Sequence, residues 1–141
     1  MTSPYVSHIV LAEDDPKQAR LYSTILTGAF GLDVHLETFC DSEEAAAYLE
    51  SHLVDLLITD LRMPKVDGVE LIRRAKARYS GVQVLIMTAA STADSLVDAA
   101  ELGATDYLLK PFEHELLIDL VAEAQRRLQR WRAALAGTLH R

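Results

Sequence analysis

Residues 55–60 read DLLITD, an apolar run that ends on a bare carboxylate, Asp60. A second run, HIVLA at 8–12, ends on Glu13 and Asp14. A third, VQVLIMT at 82–88, ends on the hydroxyl of Thr88, and a fourth, TDYLL at 105–109, leads into Lys110. If these runs are neighbouring strands, three carboxylates, a hydroxyl and an ammonium meet at one rim. Three carboxylates held together repel one another. A hard divalent cation removes that cost, and Mg2+ takes about six oxygens at ~2.0–2.1 Å while keeping several waters. Asp14 and Asp60 can supply two direct oxygens, the backbone carbonyl of Arg62 a third, and Glu13 can hold one of the waters. Thr88 and Lys110 extend this set into a trap for a phosphoryl group, whose transfer needs neutralised equatorial oxygens and an in-line nucleophile. Asp60 is the expected nucleophile, forming an aspartyl phosphate.

Bringing these residues to one rim requires particular elements. Pro16 suits the first turn of a helix that runs through Leu21, Ile25 and Leu26 to about Gly28. DVHLETF (33–39) alternates apolar and polar residues, as a half-buried strand does, with His35 expected to be exposed. Asp41-Ser42-Glu43-Glu44 reads as a capping box, with Asp41 accepting from the N3 amide and Glu44 reaching back. Asp67-Gly68 opens a third helix with Val69, Leu71, Ile72 and Ala75 facing inward. Ser91 is expected to cap a fourth that stops at Gly103, and a last helix begins near Phe112. Five strands alternating with five helices predict a doubly wound α/β fold, a parallel sheet with helices on both faces, because parallel neighbours need crossovers. Ligands of such sheets sit beyond the carboxyl ends of the strands, where the residues above lie.

The chain has 141 residues, a length for one domain, and a net charge of −7. The charge is uneven: residues 1–60 hold 11 acids and 2 bases, residues 61–141 hold 10 acids and 12 bases. An acidic front half argues against direct nucleic-acid binding. The arginines of the tail (Arg126, Arg127, Arg130, Arg132, Arg141) read as a solvated face. The single cysteine, Cys40, forms no internal disulfide. No apolar run approaches the ~20 residues that span a bilayer, and no signal-peptide pattern opens the chain. The expectation is a cytoplasmic protein without membrane association. The histidines show no metal-ligand spacing.

Four stretches, IVLAEDDP (9–16), DLLITDLRMPKVDG (55–68), VLIMTA (84–89) and GATDYLLKPF (103–112), occur in one order and spacing. Together they resemble the receiver domain of two-component response regulators over about residues 6–125. The resemblance implies a flavodoxin-like (βα)5 fold with strand order 2-1-3-4-5; a receiver of this family is the standard example of that order. It implies that Asp60 accepts phosphate from a histidine-kinase phosphohistidine or a phosphotransfer protein, with Mg2+ as cofactor, and that Glu13 and Asp14 are the metal-binding acidic pair. Thr88 is then the switch hydroxyl and Tyr107 the aromatic switch that turns inward with it. Lys110-Pro111 resembles the family's cis peptide. Arg62 and Ala90, two residues after Asp60 and Thr88, are the positions that tune phosphoryl lifetime.

From Leu117 the apolar positions run Val121, Ala124, Leu128, Trp131, Leu135, a 4-3 heptad seam longer than the sheet needs. This divides the chain into a receiver domain, 1–125, and an extension of the last helix with the tail, 126–141. From about Leu128 the extension is expected to form a two-stranded coiled coil with a second copy, and Gly137 to end the helix.

The function expected is a phosphorylation-activated switch that modifies only its own Asp60, turns over no external substrate, and hands the signal to an effector protein or a fused output domain. A phosphohydrolase acting through Asp60 needs a general acid two residues later, where Arg62 stands. A receiver-like docking module that never carries phosphate is the alternative.

Overall fold

The computed structural model describes residues 6–89 and 93–139. Its strands are β1 (Ser7–Ala12), β2 (Val34–Phe39), β3 (Leu56–Asp60), β4 (Gln83–Ala89) and β5 (Asp106–Lys110). They form one sheet in the order β2-β1-β3-β4-β5, with every neighbouring pair parallel. The helices are α1 (Pro16–Phe30), α2 (Ser42–Ser51), α3 (Gly68–Arg78), α4 (Ala93–Glu101) and α5 (His114–Leu139). This is the doubly wound order expected, with the switch point between β1 and β3, where the chain reverses its direction of winding.

Two apolar layers sandwich the sheet. On one side Val10, Leu57, Val84 and Ile86 pack with Ala45 and Leu49 of α2, Leu71 and Ile72 of α3 and Ala99 of α4. On the other, Ile9, Leu11, Ile58, Met87 and Leu108 pack with Tyr22 and Leu26 of α1 and Leu117 and Val121 of α5. Alternate residues of each strand feed opposite layers, so β1, β3 and β4 must be apolar on both faces. Leu57 and Ile58 are both fully buried.

Helix starts follow their caps. Asp15 accepts from the Lys17 amide with Pro16 at the first helical position, and Asp67 accepts from the Glu70 amide. Asp41 caps α2, accepting from the Glu43 amide at 2.8 Å, with the N3 amide of Glu44 a weaker influence on the same carboxylate. α1 runs past Gly28 to Phe30 and stops at Gly31, whose φ of 54° a side chain would resist. Asp33 lies in a 3-10 turn ahead of β2. The expected cap Ser91 and the position Ala90 lie outside the described residues.

The last helix differs from expectation at both ends. It begins at His114 rather than near Phe112, and it continues through Gly137 to Leu139. An interior glycine costs a helix about 1 kcal/mol and does not forbid it. The Thr138 hydroxyl donates back to the Ala134 carbonyl across that turn. Among the described residues no helix is long and apolar enough to cross a membrane.

Candidate functional site

Register brings the rim together. Ala12 pairs with Thr59, so Glu13 and Asp14 leave β1 beside Asp60 at the end of β3. Asp60 pairs with Met87, one residue before Thr88, and Ala89 pairs with Lys110. Carboxylate oxygens of Glu13, Asp14 and Asp60 lie within 4.8 Å of one another. The Lys110 ammonium reaches into them, donating to Glu13 Oε1 at 2.5 Å and to Asp60 Oδ2 at 2.8 Å. The Lys110-Pro111 peptide is cis.

The three acids differ in burial. Glu13 is 1% exposed, whereas Asp14 faces solvent and Asp60 is half-buried. Burial pushes the Glu13 carboxyl above the usual carboxylate range, and the Lys110 hydrogen bond and charge oppose that rise. Burial alone would lower the Lys110 pKa; its bonds to Asp60 and Glu13 outweigh that and raise it. Glu13 therefore depends on the neighbouring cation for its charge. The donor set, three hard carboxylate oxygens at one strand rim, fits a hard divalent cation of the Mg2+ class.

Hydrogen bonds tie down the loop from β3 to α3. The Arg62 amide donates to Asp60 Oδ1 at 3.1 Å, so each Asp60 oxygen has a donor. The Gly68 amide donates to the Leu61 carbonyl at 2.8 Å. A Cβ on Gly68 would sit 2.2 Å from the Asp60 carbonyl oxygen, so any side chain here forces the backbone to shift. The buried Ser42 hydroxyl donates to the Pro64 carbonyl at 2.6 Å and accepts from the Val66 amide at 3.0 Å. Lys65, at a φ of 73°, pairs with Asp41 at 3.2 Å. The Arg62 side chain is exposed, and no ion pair holds it among the described residues.

Of the residues singled out in the sequence, Glu13, Asp14, Asp60 and Lys110 form one cluster, with the Arg62 backbone at its edge. Thr88 is 1% exposed at the end of the adjacent strand. Tyr107 is not part of the cluster: it is 53% exposed. It lines a groove of about 350 Å³ with Ile86, Leu96, Val97 and Ala100. Sequence reading missed Ser42, which staples the β3–α3 loop, and Gln18, whose Oε1 accepts from Lys110 at 2.8 Å. Ser42 was visible only as part of a cap. Gln18 carried a positional signal, because it lies in the first turn of α1, four residues after Asp14.

Residues 9–122 match the family described as response regulator receiver domain. The chain is 40% identical over 116 residues to the response regulator protein FleR of Pseudomonas aeruginosa, covering 81% of this chain and 24% of that protein. It is 40% identical over 117 residues to the DNA-binding transcriptional regulator NtrC of Salmonella typhimurium, covering 82% of this chain and 24% of that protein. The chain thus spans about a quarter of the length of these two relatives. A CheY-like receiver domain protein of Methanospirillum hungatei superposes with a TM-score of 0.79 over 89% of this chain and 98% of that one, at 22% identity, a likeness of fold.

Proposed function

The chain belongs to the response regulator receiver domain family of two-component signalling, and from that premise we propose that it is a phospho-accepting switch with Asp60 as the acceptor. The observation that carries this reading is the Lys110 ammonium bonded to both Glu13 and Asp60, with Asp14 beside them.

Glu13, Asp14, Asp60 and the Arg62 carbonyl would hold Mg2+. When bound, the ion supplies neutralising charge for the acids and for the phosphoryl oxygens. The Asp60 carboxylate attacks the phosphorus of a phosphohistidine. The O–P bond forms as the P–N bond breaks, and the electron pair stays on the departing imidazole. Lys110 donates to one phosphoryl oxygen and the Thr88 hydroxyl to another, where negative charge gathers. Hydrolysis of the acyl phosphate returns Asp60, so the chain modifies itself and turns over no other substrate.

Thr88 and Tyr107 carry the signal outward. Thr88 follows Met87, the register partner of Asp60, and Ile86 on the same face of β4 pairs with Tyr107. Drawing the Thr88 hydroxyl toward the phosphoryl group vacates space that the Tyr107 ring can enter, which favours the inward population. The face of α4, β5 and α5 then changes its preference among partners: a sensor histidine kinase or phosphotransfer protein before, an effector or fused output domain after.

The extension at 126–141 offers a second readout, a homodimer through the last helix. The early seam residues Leu117, Val121 and Ala124 are buried against the sheet, whereas Trp131 and Leu135 are 65% and 56% exposed. These two are the seam positions open to a second copy.

The test is transfer from a labelled phosphohistidine domain. The chain is expected to take up label that hydroxylamine removes, as it does from an acyl phosphate, and Asp60→Asn to take up none. Label that survives hydroxylamine, or persists in Asp60→Asn, would sink the assignment. No label on either chain favours the docking module.

A further inference from the structure

The Lys110 ammonium has three protons, and three side-chain oxygens accept them. Glu13 Oε1 lies at 2.5 Å, Asp60 Oδ2 at 2.8 Å and Gln18 Oε1 at 2.8 Å. The first two belong to the acidic cluster. The third comes from α1.

Gln18 is not the only residue of α1 near the ammonium. Tyr22, four residues along and so on the same face of α1, places its ring centroid 6.0 Å from the same ammonium. That distance is the outer range of a cation–π contact. Tyr22 is 6% exposed, and its ring stacks on Phe112 at 5.5 Å and 26°. Phe112 lies just past Lys110 in the chain, so α1 grips the β5–α5 connection at the ammonium and just beyond it.

Lysine needs such a grip. Its ammonium is a point charge on a flexible four-carbon stem, and two carboxylates alone leave it free to swing between them. A third acceptor, carried by a different element, restricts that swing. A neutral acceptor adds no charge to a cluster that already holds three carboxylates. Gln18 supplies one from the first turn of α1.

We propose that Gln18 is a positioning residue of this site, holding the Lys110 ammonium where it meets an oxygen of the incoming phosphoryl group. The proposal rests on the reading of Asp60 as phosphoryl acceptor. It assigns Gln18 no contact with the phosphoryl group itself; Gln18 acts through Lys110. Displacing a catalytic cation by about 1 Å can cost a large factor in rate.

The experiment compares the full chain with Gln18→Leu and Gln18→Glu by two readouts. The first is the side-chain 1H–15N signal of the Lys110 ammonium, which requires no phosphate. The second is the rate of Asp60 phosphorylation by acetyl phosphate at saturating Mg2+, as maximal rate and half-saturating donor concentration. Gln18→Leu is expected to broaden or lose the ammonium signal. Its maximal rate should fall about five- to tenfold, the worth of roughly one ordinary hydrogen bond. Half-saturation, and Mg2+ affinity by calorimetry, should stay within about twofold, as expected when only the transition-state contact suffers. Gln18→Glu keeps an acceptor in reach and should retain the ammonium signal. An unchanged signal and rate in Gln18→Leu overturn the proposal, as does a loss of Mg2+ affinity equal to the loss of rate. If the native chain shows the signal but takes up no phosphate, the acceptor reading fails while the grip on Lys110 is still measured by the signal.

Discussion

Lys110 Nζ lies 2.8 Å from Asp60 Oδ2, although the two residues are 50 positions apart in the chain. The same ammonium satisfies Glu13, which is almost wholly buried. One cation thus serves the fold and the proposed chemistry together. Lys110→Ala leaves Glu13 buried with no cation in contact. The expected loss is about 3 kcal/mol in urea unfolding without divalent ions, the usual scale for breaking a buried pair. Mg2+ should restore part of it, and phosphoryl uptake should stay low even where Mg2+ restores the fold. A variant as stable as the native chain in the absence of Mg2+ would contradict the pairing.

Gly68 tests the loop. A methyl group there meets the Asp60 carbonyl oxygen at 2.2 Å, and a backbone oxygen cannot turn away as a flexible side chain can. Gly68→Ala should cost about 1–3 kcal/mol and displace Asp60 from Lys110. Phosphorylation should therefore fall by more than Mg2+ affinity does. Native rates in a folded Gly68→Ala chain would show that the loop adjusts freely.

Much of this geometry could be read from alternation. Ile9, Leu11 and Glu13 share one parity, as do Ile58 and Asp60, and Leu108 and Lys110; the apolar members of each set lie on the α1–α5 side. Strand ends, motif spacing and the parallel order therefore led to the cluster from sequence. The grip of Gln18 and Tyr22 did not follow, because it depends on how α1 rotates against the sheet, which periodicity fixes only coarsely. The end of α5 was misread for a different reason. Gly137 weakens a helix without stopping one, and Arg132, which pairs with Asp55 at 3.2 Å, ties the extension to the domain from a distant part of the chain.

His8 gives a pH dependence. Its Nδ1 faces the Leu53 carbonyl at 3.0 Å, which can only accept, so Nδ1 carries the proton and neutral Nε2 accepts from the Tyr48 hydroxyl at 2.5 Å. His35 and His52 face the ring from β2 and the end of α2, with Glu37 bonded to His35. Asp55, paired with Arg132, binds the His8 amide. Burial lowers the His8 pKa most, with the two histidines adding to it against the Leu53 bond and Asp55. A folded pKa below the unfolded value of about 6.5 means that the unfolded chain binds the extra proton first. Stability should therefore be full above about pH 6.5 and decline as pH falls through the folded pKa. His8→Gln should flatten that decline in urea titrations between about pH 7 and 5; an unchanged slope would assign it to other groups.

Arg132→Ala tests the attachment of the extension. The ion pair with Asp55 is partly buried, 27% and 15% exposed on its two sides. The expected cost is about 1 kcal/mol, with faster amide exchange over residues 128–139 and unchanged protection in β1 and β3. Uniform loss of protection across the sheet would show a global effect instead. If the exposed seam pairs two copies, Trp131→Glu should lower the mass seen by light scattering while leaving phosphoryl uptake intact.

The most direct measurement is the intact mass of the native chain and of Asp60→Asn after incubation with Mg2+ and a small phosphodonor. The native chain is predicted to gain the mass of one phosphoryl group, to need Mg2+ for it, and to lose it on standing, while Asp60→Asn gains nothing. Equal gains on both chains, or a gain that chelation of Mg2+ does not prevent, would contradict Asp60 as the acceptor and the acidic cluster as its metal site.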